Sequence, residues 1–210
     1  LNEAAIIAAK ERRSFITQDD IKRSFVKVGI GTEKHSRIIT EKEKKITAYH
    51  ESGHAILFHL LPDVGPVYSV SIIPTGAGAA GYTMPLPERD EMFNTRGRML
   101  QEITVDLGGR VAEEIIFDDI TTGASQDIKQ ATGIAKSMVT KFGMSEKVGL
   151  INYDDDSDEV FIGRDLAHAS RGYGENVAGV IDQEVKRIID ECYAKAKSII
   201  HEYDHVLHAC

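Results

Sequence analysis

The chain of 210 residues is 42% apolar and carries a formal net charge of −8. That composition excludes disorder over most of its length, and it argues against nucleic acid or anionic lipid as the main partner, because both call for basic patches. No apolar run approaches the roughly 20 residues of a membrane span and no secretory signal is visible, while two cysteines, Cys192 and Cys210, make no disulfide framework and fit a reducing, cytosolic setting.

The chain opens at Leu1 without an initiator methionine, in the helical pattern "LNEAAIIAAK", and closes at Cys210 in an equally helical one. It reads as a piece of a longer protein. Residues 1–31 form a helical hairpin whose second helix is capped by Thr17, with Asp20 three residues later in capping-box fashion. The polar stretch "GIGTEKHSR", 29–37, reads as a linker, whose bounds are set at 32–40 between the two helical segments. Thr40 and Glu43 repeat the capping signal, so the next helix runs from about 41 to 61 and stops before Pro62.

"VYSVSII", residues 67–73, is a strand. The glycine-rich stretch after it contains Gly76-x-Gly78-x-x-Gly81, the letters of a dinucleotide fingerprint. The fingerprint needs a helix next to place an N-terminus under the pyrophosphate, and Tyr82 to Pro87, with two prolines, cannot open one; the stretch is a hairpin tip. A helical stretch over about 92–117 spaces Met99, Ile103, Leu107, Val111 and Ile115 at helical intervals, with Gly108-Gly109 in its middle indicating close backbone packing. A helix follows over about 126–142. "GLINYDDDSDEVFIG", 149–163, is a strand-turn-strand whose Asp154, Asp156 and Asp158 mimic a calcium loop without its sixth-position Gly or twelfth-position Glu, and so form a solvated acidic turn. Residues 175–207 are helical. The fold class is mainly α with a small β hairpin.

The chemistry sits in "AYHESGHAIL". Residues four apart on a helix lie about 40° apart around its axis, so His50 and His54 can present ring nitrogens to one ion, with Glu51 beside them to reach a water there. The competing reading is two core histidines satisfied by hydrogen bonds. A catalytic zinc takes three protein ligands and one open position. Phe58, His59 and Leu60 do not supply a third histidine at metzincin spacing, which leaves Asp106, Glu113, Glu114 and Asp127. On helix 126–142 the residues Ile128, Ala131, Ile134, Ala135, Met138, Val139 and Phe142 make an apolar face. With Asp127 at zero, Ile134 lies about 20° to one side and Met138 about 20° to the other. Asp127 therefore faces inward, where a carboxylate needs a partner or a metal; as a first-turn acid it also suits the helix dipole. Glu113 and Glu114 are either groups that hold a histidine N–H or surface charges.

Taken together the motifs resemble a known family, the membrane-anchored, ATP-dependent zinc proteases of FtsH type. "AYHESGHA", "GRVAEEIIF", "TTGASQDIKQAT", "MVTKFGMSEKVG" and "VIDQEVKRII" are similar to successive signatures of that family, and residues 1–37 are similar to the end of its ATPase module and the following linker. The resemblance implies three segments: the C-terminal end of an ATPase lid at 1–31, a linker at 32–40, and a helical zinc protease domain at 41–210. By motif match, His50, His54 and Asp127 would ligate Zn²⁺ and Glu51 would be the catalytic glutamate. The resemblance further implies polypeptide substrates, a homo-hexameric ring below an ATPase ring, and a place on the cytoplasmic face of the bacterial inner membrane through segments outside these residues. Two positions depart from the family pattern: Ser52 stands where Ala is usual, and Gln126 where Asn is commoner before Asp127. No phosphate-binding loop is present, so ATP and Mg²⁺ would serve a module outside this sequence. A stand-alone zinc peptidase and an inactive ring-forming domain are the alternatives.

Overall fold

The structure is a computed structural model that describes residues 1–31, 39–75, 80–86, 92–153 and 173–210. Gly76, Gly78, most of the expected linker and the acidic turn at Asp154 to Asp158 lie outside the described residues.

Two short helices, α1 (Asn2–Lys10) and α2 (Gln18–Gly29), form the opening hairpin. Thr17 and Asp20 make both bonds of the capping box, and the Asp20 carboxylate is also gripped by both terminal nitrogens of Arg13 at 2.6 and 2.7 Å. Helix α3 (Glu41–Leu60) starts at the capping box of Thr40 and Glu43 and ends just before Pro62. Strands β1 (Val67–Ser71) and β2 (Tyr82–Pro85) pair antiparallel, with Val70 opposite Thr83 and Ser71 opposite Tyr82. The expected strand is thus shorter by two residues. The edge-on contact of Phe25 and Tyr68, with ring centroids 6.2 Å apart, joins α2 to β1.

The expected single helix over 92–117 is two: α4 (Arg96–Asp106), capped by Thr95, and α5 (Gly108–Phe117), with Leu107 as the break. Periodicity continues through the break, so the apolar pattern did not reveal it. Helix α6 (Ser125–Thr140) follows a one-turn 3₁₀ segment, and the last helical region is the long α7 (Glu175–Glu202) with a short α8 (Asp204–Leu207).

Helix α7 is the spine of two adjoining cores. Its Ile181, Ile188 and Cys192 pack with α4 and α6 through Met99, Ile103, Ala131, Ala135 and Met138, while Ala196 and Ile200 pack with α3 and α5 through Leu57, Val111 and Ala112. Tyr193 touches both.

Helices α3 and α5 meet at bare backbone. A Cβ on Gly53 would sit 2.5 Å from the Gly108 carbonyl oxygen and 2.8 Å from the Ala112 Cβ; one on Gly108 would sit 2.7 Å from Leu57 Cδ1. The main-chain clash cannot be relieved by a side-chain rotation. Gly53→Ala is therefore expected to lower unfolding stability by about 1–3 kcal/mol through overpacking, despite the better helix propensity of Ala. Urea unfolding checks this; a variant as stable as the parent would show that the two helices do not meet at Gly53.

Candidate metal centre

The His50 and His54 rings leave α3 on one face, one turn apart, with centroids 4.8 Å from each other. Each ring has its Nδ1 edge tied off. His50 Nδ1 donates to the Glu113 carboxylate at 2.8 Å, and Glu113, almost wholly buried on α5, also accepts from the Thr121 main-chain N–H at 2.8 Å. His54 Nδ1 donates to the Val105 carbonyl at 2.7 Å. Val105 lies in the last turn of α4, where carbonyls outnumber the helical N–H donors, and its oxygen, approached also by the Leu107 N–H, has a lone pair left for His54.

With each Nδ1 acting as a donor, a neutral ring at either position presents its Nε2 as a lone pair. The two Nε2 atoms point at each other and at Asp127 from the first turn of α6. His50 Nε2 is 3.1 Å from His54 Nε2 and 3.2 Å from Asp127 Oδ2, and His54 Nε2 is 3.7 Å from the same oxygen. His50, His54 and Asp127 form the one group of three or more donors suited to a metal among the described residues. Two lone pairs and a carboxylate converging at such range repel unless a proton or a metal ion lies between them. Ligands held about 2.05 Å from a tetrahedral zinc are about 3.3 Å apart, so the spacing of these three atoms fits that ion.

The electrostatics agree. Burial opposes a charge on His50, yet its bonds to Asp127 and Glu113 outweigh that and raise its pKa to about 9 when no metal is present. Burial pushes the Asp127 carboxyl up, and the two histidines overcome it and hold the group well below the usual range. In Glu113, burial is likewise outweighed by His50 and Thr121.

Glu51, 6% exposed, lies against β2, where the Thr83 hydroxyl is 2.8 Å from its Oε2 and 3.0 Å from its main-chain oxygen, and it feels the charges of His50, His54 and Asp127. Burial pushes its carboxyl upward against the pull of His54 and Thr83.

The other candidate carboxylates lie elsewhere. Glu114 bonds Lys197 at 2.8 Å and accepts from the Tyr193 hydroxyl, which ties α5 to α7. Asp106 accepts from Gln130 through Oδ1 at 3.1 Å, its buried Oδ2 has no partner among the described residues, and burial pushes its pKa up to about 7. The apolar face expected for α6 is narrower than its sequence suggested: Ala131, Ala135, Met138 and Val139 are buried, while Ile128 and Phe142 are 43% and 48% exposed. Ser52 is buried and Gln126 is exposed. Sequence reasoning missed three contributors: Val105, Thr83 and Gly109. A Cβ on Gly109 would stand 2.5 Å from the His50 ring, so the second glycine of the pair makes room for the imidazole. The Gly108-Gly109 pair was the available signal.

A histidine pair one helical turn apart, closed by a carboxylate from a second helix and with a glutamate beside it, is a set that could hold a metal ion in the manner of a helical zinc peptidase. Residues 37–210 match peptidase family M41, and the chain belongs to that family. It is 50% identical, over 99% of its length and 33% of the relative's, to the ATP-dependent zinc metalloprotease FtsH of Caldicellulosiruptor bescii. It is 49% identical, over 99% of its length and 34% of the relative's, to FtsH 1 of a Thermoanaerobacter species. It is 45% identical, over 97% of its length and 33% of the relative's, to the FtsH protein of Thermotoga maritima. The chain spans about a third of the length of these curated relatives.

Because His50 holds a proton up to about pH 9 without metal, zinc bound through its Nε2 would displace that proton. Calorimetric titration at about pH 7.5 in buffers of different ionisation enthalpy should find about one proton released per zinc, with affinity rising as pH rises. Binding without proton release would contradict this charge state for His50.

Proposed function

We propose that this chain is the proteolytic part of an ATP-driven, membrane-anchored zinc protease that cleaves unfolded or membrane polypeptides. The observation that carries the proposal is the convergence of His50 Nε2, His54 Nε2 and Asp127 Oδ2 at 3.1 to 3.7 Å with both Nδ1 atoms committed elsewhere. These three residues would hold the zinc. The bound ion would lower the pKa of a water and polarise the scissile carbonyl.

The chain's own side chains do the rest. Glu113 and the Val105 carbonyl fix ring tautomer and orientation, which keeps the Nε2 lone pairs directed inward. Glu51 takes the proton of the attacking water and delivers it to the leaving amine. Its buried setting supports that role, because burial favours the neutral form that must exist midway. An extended substrate would add to the small sheet of β1 and β2 by strand pairing, which sets the scissile bond beside α3.

The names of the relatives, similarity of residues 1–37 to the end of an ATPase module, and a helical hairpin at 1–31 support the wider assignment. On that reading 1–31 closes the ATPase lid, 32–40 is a linker and 41–210 is the protease domain, assembled as a hexamer. ATP and Mg²⁺ would act in the ATPase module. No helix among the described residues is long and apolar enough to cross a membrane, so anchoring would come from other segments.

Glu51→Gln should keep one zinc per chain and lose peptide cleavage by roughly 100-fold or more, read by elemental analysis beside a fluorogenic peptide assay. Retained turnover would remove Glu51 from its role. Glu113→Gln, which faces the Thr121 N–H with an amide in place of a charge, should weaken zinc binding about 10- to 100-fold in a chelator competition. Unchanged affinity would mean that the His50–Glu113 bond does not support the metal.

A further inference from the structure

A glutamate on a helix does not aim itself. Its side chain has three rotatable bonds, and order must come from what it touches. Among the described residues, the hydrogen bond that reaches the Glu51 carboxylate comes from Thr83, at 2.8 Å to Oε2. Thr83 is 32 residues away in sequence and sits in β2, held opposite Val70 by the strand pairing. The other oxygen is confined by backbone. A Cβ on Gly81 would fall 2.9 Å from Glu51 Oε1, 2.6 Å from the Ser71 carbonyl oxygen and 2.7 Å from Thr47 Cγ2. The carboxylate therefore lies between a hydroxyl and a strand entry kept bare by glycine.

We infer that Thr83 is the positioning residue for Glu51, and that its hydroxyl serves the glutamate in both states through which the reaction takes it. The inference rests on Glu51 acting as the base. A hydroxyl has one proton and two lone pairs. While Glu51 is ionised, Thr83 donates its proton to Oε2. Once Glu51 has taken the proton of the attacking water on its other oxygen, Thr83 goes on donating to Oε2, now the carbonyl oxygen of the acid, which keeps the new O–H directed at the leaving amine. The Glu51 main-chain oxygen, 3.0 Å from the same hydroxyl, holds Thr83 in place. Thr83 gives up no proton in the cycle. The same strand pair offers the sheet edge to substrate, so Thr83 also fixes the distance between that edge and the base.

Valine matches threonine in shape and strand preference, and differs by the hydroxyl. The test compares wild type, Thr83→Val, Thr83→Ser and Glu51→Gln in the zinc-loaded protein, with a fluorogenic peptide, zinc analysis and thermal unfolding. Thr83→Val should keep its zinc and hold KM within about twofold while kcat falls roughly 10- to 100-fold. Thr83→Ser should recover kcat to within about threefold of wild type, because the hydroxyl is restored. A crystal structure of Thr83→Val should find the Glu51 carboxylate displaced from Gly81 and Thr83. If Thr83→Val fails to fold, Thr83→Ala takes its place in the comparison with serine. Wild-type kcat in Thr83→Val, or an equal loss in valine and serine variants, overturns the inference. An inactive Glu51→Gln beside such a result leaves Glu51 as the base and removes Thr83 alone, whereas an active Glu51→Gln removes both.

Discussion

The site depends on how two imidazole rings spend their N–H groups. A neutral histidine has one donor edge and one acceptor edge, and whichever partner claims the donor decides where the lone pair points. Here Glu113 and the Val105 carbonyl claim the two Nδ1 edges from outside, at 2.8 and 2.7 Å. Both Nε2 edges are left facing each other across 3.1 Å with the Asp127 carboxylate beside them. That arrangement is unfavourable for neutral rings alone. A proton relieves it in part, which is why His50 holds one so tightly, and a divalent cation relieves it fully.

Everything that supports those two bonds is a matter of close packing. Glycines at 53 and 108 let α3 and α5 approach at backbone distance, which brings Glu113 under His50; Gly109 leaves space for the ring itself. The last turn of α4 presents the Val105 carbonyl to His54. Helix α7 then clamps both halves, one core on α4 and α6 and the other on α3 and α5. The Asp127 side of the site is carried by α6 and the histidine side by α3, so the geometry at the centre is fixed by packing against a third element common to both.

Much of this was legible in the sequence, where the signal was local. The capping box of Thr40 and Glu43 and the stop at Pro62 bounded α3, and the spacing of His50 and His54 put both rings on one face. The arc on α6 turned Asp127 inward although Ile128 and Phe142, counted in that arc, are about half exposed; the four buried residues and half-buried Ile134 carry the face. Non-local features were not legible. The helix break at Leu107 hides within an unbroken apolar period. Thr83 meets Glu51 only because a hairpin folds back on α3, and no spacing rule connects residues 51 and 83. The carboxylates of Glu113 and Glu114 look alike in sequence, yet a step of about 100° around α5 sends one to His50 and the other to Tyr193 and Lys197.

The central claim is that His50, His54 and Asp127 share one ion and leave a fourth corner open. Anomalous diffraction at the zinc absorption edge from crystals of the zinc-loaded protein tests it most directly. The account predicts a single strong peak with His50 Nε2, His54 Nε2 and an Asp127 oxygen at about 2.0–2.2 Å and no fourth protein ligand. An ion bound through Asp106 or Glu113 in place of Asp127, or a peak away from both histidines, would contradict it.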